Sequence, residues 1–308
     1  MARTFLFARS AFAGIFVFAA ASNVQAQQTI YAGSQNSGEV ERFTTTGTRL
    51  SNLTTISNQG NGIFITVDPS GHVYVTDPSV KKIREFSSAG VSMGFFASYN
   101  NFAEVKADAS GNIFVADTDN AHPTVITKYS PAGANLLQFT TVNQIGDIAT
   151  DSAGNIFVSG LGSSVSKYNS NGVFLNTIGA GFANAEGLAF DSSGNLDVTD
   201  FNGHSIRRFA PNGTELSPFV ASIGQQAADQ IVFDTSGNAY VDGNVSGGIY
   251  QFDSSGSQTA FFSVPFPSSP RSIAIGPAAS STPEPGTLAL LTGLGLSGSL
   301  CVLRRRRK

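Results

Sequence analysis

The sequence predicts an all-β protein: a six-bladed β-propeller with four antiparallel strands per blade and a closing blade shared by N- and C-terminal strands. Three observations predict it. A ten-residue phrase recurs five times, as "DPSGHVYVTD" from Asp68, "DASGNIFVAD" from Asp108, "DSAGNIFVSG" from Asp151, "DSSGNLDVTD" from Asp191 and "DTSGNAYVDG" from Asp234. Its starts lie 40, 43, 40 and 43 residues apart, a period that belongs to propellers and solenoids. An aromatic residue followed four places later by glycine occurs six times, at Phe43/Gly47, Phe86/Gly90, Tyr129/Gly133, Tyr168/Gly172, Phe209/Gly213 and Phe252/Gly256. Finally, the repeat region opens with the last three strands of a unit, "IYAGSQNSGEVERFTTTGTRL", and closes with a lone first strand, Ser272 to Ile275. Joined, these make a sixth unit and a closed ring, with none of the open ends that a solenoid must cap.

Each unit reads as four short strands. In the third copy, strand A is "GDIAT" before Asp151, the turn is "DSAGN", strand B is "IFVSG", strand C is "VSKY" ending at Tyr168, and strand D is "VFLNTI" after Gly172. β-Branched and aromatic residues at alternate places suit half-buried strands. The recurring Asp is expected to accept backbone N–H bonds two or three residues on, and the Gly to supply the positive φ of the A–B hairpin. Five such loops are therefore turns, not Ca²⁺ sites, since an EF-hand loop needs further carboxylates and a terminal Glu. The composition agrees: 13% charged residues, no Trp, 25 Phe and 33 Gly suit many strands and glycine turns better than helices.

The two ends read as delivery signals. Residues 1–26 carry Arg3 and Arg9, an apolar run from Ala11 to Ala21, and small residues at Val24 and Ala26. That is a secretory signal for the Sec export machinery, cleaved between Ala26 and Gln27. The propeller is expected over 27–277, a linker over 278–286, a membrane helix over the 17 uncharged residues 287–303, and a basic cytoplasmic tail over 304–308. Pro283, Glu284 and Pro285, the apolar stretch and the Arg cluster stand in the order of the PEP-CTERM sorting signal, which this end resembles. The resemblance implies that an exosortase-type protease of the Gram-negative envelope removes the tail and releases the protein to the cell surface or extracellular matrix. A permanent C-terminal anchor is the other reading. Gly293, Gly295 and Gly298 spell a dinucleotide fingerprint without the surrounding βαβ unit, and are set aside.

The formal charge is −3, but without the two signal arginines and the five terminal cations 11 cations face 21 anions, a balance of −10. Such a body is a poor nucleic-acid binder, because phosphate binding depends on Lys and Arg. The single Cys, Cys301, lies in the tail, so the propeller holds no disulfide.

The stretches "GLAFDSSGNLDVTDFNGHSIRRFAPNG" (187–213) and "DPSGHVYVTDPSVKKIREFSSAG" (68–90) resemble NHL-repeat propellers and, more loosely, the wider six-bladed group that includes SMP-30/gluconolactonase-like lactonases. The resemblance covers about residues 29–277 and implies fold more than activity. Lactonases of that group hold a metal at the channel mouth with a Glu/Asn/Asp set, which does not map here residue by residue.

Strand polarity puts the starts of A and the ends of B on one face. Around the starts of A stand Glu104, Asp147, Glu186 and Asp229, with Arg271 in the closing blade; near the ends of B stand Asp77, Asp117, Asp200 and Asp242. The expectation is an acidic channel mouth. It is either a solvated rim or a site for a Ca²⁺-like ion, held by Glu104, Asp147, Glu186 and Asp229, or for a cationic or sugar ligand. His72, His122 and His204 lack the spacing of a metal site, and no nucleophile elbow is present. Lys81, Lys82, Arg84, Arg207 and Arg208 read as solvated outer faces. The function expected is a non-enzymatic binding or scaffold module for a protein or polysaccharide of the envelope; the alternative is a metal-dependent hydrolase or lyase working at the acidic mouth.

Overall fold

The computed structural model describes residues 27–34, 36–56, 62–118, 124–141, 145–160, 162–224, 227–243, 246–264 and 270–277, the side chains of Phe102 and Thr118 excepted. The signal sequence, linker, PEP motif, membrane helix, basic tail and His122 lie outside them. Among the described residues no helix is long and apolar enough to cross a membrane.

Among the described residues, short alternating segments bounded by glycine turns form 23 strands in six sheets, all within one compact unit. Blade 1 begins with β1 (Thr29–Ser34), β2 (Glu39–Thr44) and β3 (Thr54–Thr55). Blade 2 holds β4 (Ile65–Val67), β5 (Val73–Asp77), β6 (Lys82–Phe86) and β7 (Ser92–Ser98). Blade 3 holds β8 (Phe102–Ala107), β9 (Ile113–Thr118), β10 (Val125–Tyr129) and β11 (Asn135–Thr140). Blade 4 holds β12 (Ile148–Thr150), β13 (Ile156–Val158), β14 (Val165–Tyr168) and β15 (Phe174–Ile178). Blade 5 holds β16 (Ala185–Phe190), β17 (Leu196–Asp200) and β18 (Ser205–Phe209). Blade 6 holds β19 (Ile231–Phe233), β20 (Ala239–Gly243), β21 (Gly248–Phe252) and β22 (Gln258–Ser263), and β23 (Pro270–Gly276) returns to blade 1.

The ring closes as expected. β23 pairs antiparallel with β1, Ile275 opposite Ile30 and Ser272 opposite Gly33, giving the sheet order β23-β1-β2-β3. The innermost strands β23, β4, β8, β12, β16 and β19 pack in that order around the axis, and β19 meets β23. Blade 5 departs from the pattern. Its outer position is filled by a segment that forms no strand and meets β18 at the isolated bridges Phe209↔Glu215 and Ile206↔Val220 and through the Arg207–Glu215 ion pair. Pro218 lies between those bridges and has no N–H to continue the ladder.

Burial is greatest in the second strand of a blade and falls toward the outer strand. β5, β17 and β20 are buried at every position, whereas β15 is exposed at four of its five and β7 mostly so. Six apolar clusters fill the six junctions between blades, such as Phe157, Leu188 and Phe209 between blades 4 and 5.

The repeated turn is built nearly as expected. Asp151 Oδ1 accepts the N–H groups of Ala153 (3.0 Å) and Asn155 (2.8 Å), and its Oδ2 accepts Asn155 Nδ2 at 2.7 Å. The N–H groups bound therefore lie two and four residues on, because Gly154, with φ +79°, turns its own N–H to the Asp151 carbonyl. At the paired C–D turn most of the glycines have a second reason to lack a side chain. A Cβ would meet a residue from the outer edge of the preceding blade: Leu53 at Gly90, Phe139 at Gly172, Ile178 at Gly213, the Phe219 backbone at Gly256 and Phe262 at Gly47, whereas Phe96 lies 3.9 Å from Gly133, an ordinary contact. Burying one such apolar side chain is worth about 1.5–3 kcal/mol, so these keys help bind neighbouring blades.

Candidate functional site

The starts of the innermost strands bring the predicted residues to the axis in two layers. Glu104, Asp147, Gln230 and Ser272 share one register with Phe64 and Gly187; one residue earlier come Glu186, Asp229 and Arg271, with Ile63, Ala103 and Gly146. Glu186 sits in a β-bulge of β16, between Ala185 and Leu188, which re-aims its side chain.

The inner layer is a closed set of bonds and not a solvated rim. Glu104 and Asp147 are buried, at 1% and 0% exposure. Gln230 Nε2 donates to Glu104 Oε1 at 3.0 Å, across the axis from blade 6 to blade 3, while Gln230 Oε1 accepts Ser272 Oγ (2.9 Å) and Ile273 N (3.1 Å). Lys106 Nζ donates to both oxygens of Asp147 at 3.0 Å, and Asp147 Oδ2 also accepts Leu188 N at 2.9 Å. Ser272 Oγ accepts Ile65 N at 3.1 Å, Thr66 Oγ1 accepts Ala107 N at 2.9 Å, and Thr199 Oγ1 donates to the Asp229 carbonyl at 3.3 Å. Every one of the six junctions thus carries a polar bond at the axis. The residues that look like candidate ligands in the sequence are largely staples of the ring.

In the outer layer Arg271 Nη1 stands 3.8 Å from Asp229 Oδ2, and Glu186 Oε1 accepts Asn184 Nδ2 at 2.8 Å. Burial, helped by the charge of Asp229, raises the Glu186 carboxyl from 4.5 to about 7. Burial, with the Asp147 charge added, raises Glu104 well above the usual carboxylate range, and burial with the Asp229 charge does the same for Asp242. Glu104 Oε2 and Asp242 Oδ2 are buried without a hydrogen-bond partner among the described residues, which fits carboxyls that favour the neutral form. From the hairpin face the channel is a cavity of about 150 Å³, lined by Thr66, Lys106, Val232 and Ala274.

The aspartates at the ends of B are anchors for the chain entering strand A. Asp117 accepts Asn100 N (2.8 Å) and Asn101 N (3.2 Å), Asp200 accepts Asn184 N (2.9 Å), and Asp242 accepts Asp229 N (2.9 Å) and Gln230 N (2.6 Å). Asp77 is buried against Arg84 Nε at 2.6 Å. That pair corrects the expectation that the strand C cations are solvated, and Arg208 corrects it further. Arg208 bonds both oxygens of the buried Asp197, at 2.8 and 2.9 Å. Asp197 stands where the other blades place Tyr31, Tyr74, Phe114, Phe157 and Tyr240, and burial outweighs the guanidinium to raise its carboxyl to about 6. Lys106, Gln230 and the Asp197–Arg208 pair escaped the sequence reading; comparing the repeats column by column marks Lys106 among Thr66, Ala149, Ala189, Val232 and Ala274, and Asp197 among aromatic residues, but gives no such signal for Gln230 or Arg208.

For Ca²⁺ the donor set is short. Six to eight oxygens are required, Asp147 is already held by Lys106 and backbone N–H groups, and among the described residues no three His, Cys, Asp or Glu side chains converge on a metal position. His72 Nδ1 lies 3.0 Å from Glu85 Oε1, at the hairpin face.

No protein-family model matches the chain, and no curated protein sequence does. Solved structures do. A protein of unknown function from Bacteroides caccae is 16% identical, with a TM-score of 0.67, over 81% of this chain and 99% of that one. A chain of a nidogen/laminin complex is 18% identical, with a TM-score of 0.67, over 82% and 99%. The virginiamycin B lyase of Staphylococcus aureus is 11% identical, with a TM-score of 0.58, over 79% and 86%. The shared property is the propeller fold. At these identities the likeness extends to the fold and to nothing finer, since propellers host many unrelated functions.

Proposed function

We propose that this chain is an exported surface or matrix-associated propeller that acts as a non-enzymatic binding module for a protein or polysaccharide of the envelope. The observation that carries the reading is the commitment of the axial polar groups: Glu104, Asp147, Lys106 and Gln230 bond one another and the backbone across blades, which ties up in the ring the side chains that a substrate at the axis would need. Export through the Sec machinery with cleavage at Ala26/Gln27, and sorting by Pro283, Glu284 and Pro285 through an exosortase-type protease, belong to the same proposal and rest on the order of the sequence elements. A solved relative in a nidogen/laminin complex supports binding as a use of this architecture.

One observation favours a second reading. Glu186, brought to about 7 beside Asp229 and Arg271, is placed to exchange a proton near neutral pH, as a lyase or hydrolase working at the mouth requires. The test is a matrix- and glycan-binding screen on the exported protein, with metal analysis and lactone hydrolysis assayed alongside. Binding without stoichiometric metal or turnover supports the module. Stoichiometric Ca²⁺ that is lost on changing Glu104, Asp147, Glu186 or Asp229, together with turnover, overturns it.

A further inference from the structure

On the hairpin face, at the opposite end of the blades from the acidic residues, a groove of about 630 Å³ opens between blades 4 and 5. Four of the six junctions set a phenylalanine of one blade beside the C–D glycine of the next, whereas blade 1 offers Leu53 to Gly90 and blade 4 offers Ile178 to Gly213. At the blade 4–5 junction the space beside Ile178, Phe157 and Phe190 is open; the two rings meet edge to face, 5.1 Å between centroids.

The walls define a ligand chemistry. The floor is aromatic and aliphatic, and Lys167 lies over the Phe157 ring, 4.9 Å from its centroid and 3.9 Å from Asp151. Across from them stand Asp191 and the exposed hydroxyls of Ser192 and Ser193. Both signs of charge are present and paired, so neither an anion nor a cation gains from entering. Phe157 is covered by Lys167, so the apolar surface open to a ligand is that of the half-buried Phe190 and the exposed Pro211; beside the serine hydroxyls it suits a neutral sugar ring, which packs its apolar face there and bonds its edge to the polar walls. The volume falls in the range of small-ligand sites, about 300–1,000 Å³, and the concave shape differs from the broad contact of about 800 Å² per partner that proteins form. We infer that the groove between blades 4 and 5 binds a neutral oligosaccharide stretch of a matrix polymer, an inference that rests on the binding reading above and names its ligand.

The test is calorimetric titration of the full chain, solubilised in detergent, with cellohexaose, laminarihexaose, maltohexaose and N-acetylchitohexaose. Two variants accompany it: Ile178→Phe, which supplies the phenylalanine of four other junctions, and Ser193→Trp, which narrows the groove from its exposed rim. Binding of at least one hexasaccharide, weakened tenfold or more by both variants with the melting temperature kept, is the expected result. Sugar binding unaffected by both variants overturns the groove and leaves the binding module standing. If no neutral sugar binds and a protein or charged polymer is captured instead, the ligand class is wrong. If nothing binds and lactone turnover appears, the binding reading fails with it.

Discussion

Replacing Gly172 with Ala separates two costs that the repeated glycine conceals. Gly172 has φ +74°, and a Cβ there would lie 2.7 Å from Cδ1 and Cγ of Phe139, closer than real Cβ contacts allow. Gly154, with φ +79°, meets nothing nearer than Ser170 Cβ at 3.7 Å, an ordinary contact. Both substitutions bear the left-handed backbone strain of about 1–2 kcal/mol. Only Gly172→Ala also drives Phe139 from the junction where it packs on Tyr168, 5.2 Å between centroids, an overpacking cost of about 1–3 kcal/mol. In a ring of this size each kcal/mol moves the melting temperature by about 2–4 °C. Calorimetric melting of the two variants is therefore expected to place Gly172→Ala below Gly154→Ala by several degrees. In a Phe139→Ala background that gap should narrow, since the ring atoms at 2.7 Å are gone and only Cβ, at 2.9 Å, is left to shift. Equal losses in the two single variants, or a gap undiminished by removing the Phe139 ring, would refute the key-and-glycine account of blade packing.

Arg208→Ala leaves Asp197 buried without its partner and is expected to cost about 3–5 kcal/mol, while Asp197→Tyr with Arg208→Gln, the pairing of Tyr240 and Gln251 in blade 6, should be neutral or stabilising in the same melts. Gln230→Leu removes the partners of Glu104 Oε1, Ser272 Oγ and Ile273 N, and denaturant unfolding should show a loss of about 1–3 kcal/mol for each group left unmade. Because the folded Glu186 carboxyl is raised from 4.5 to about 7, the folded state holds a proton that the unfolded chain releases. Stability from this group is complete below pH 4.5 and declines by up to about 3 kcal/mol as the pH rises through 7, and Glu186→Gln should flatten that slope. Intact-mass measurement of the exported protein should find a chain starting at Gln27 and lacking Arg304 to Lys308; a retained basic tail would refute processing.

The fold was legible because its instructions are repeated. Asp151 and Gly154 state the hairpin locally, and Ile30 and Ile275 reveal the closing pair because each belongs to an incomplete unit. The keys were only half legible. The aromatic-to-glycine spacing marked Gly172, but that it faces Phe139 of another blade follows from packing across a junction. The axial residues were found but not their role. Glu104 and Asp147 advertise charge in a linear reading, whereas Gln230, which hydrogen-bonds Glu104, and Lys106, which pairs with Asp147, come from distant or alternate positions. Phe157 and Ile178 carried no signal, because an open junction is a property of two blades together.

The joint between β1 and β23 also sets an order of assembly. Within the ring the first strands made are completed by the last, so β1 waits with one edge unpaired while the more than two hundred residues between it and β23 are made and folded. A product broken off before Pro270 cannot shut its circle, and it offers that bare edge to any other extended chain nearby. Completeness of synthesis is thereby converted into a mechanical test, in which an unfinished copy stays sticky and open to proteolysis while a finished one is sealed.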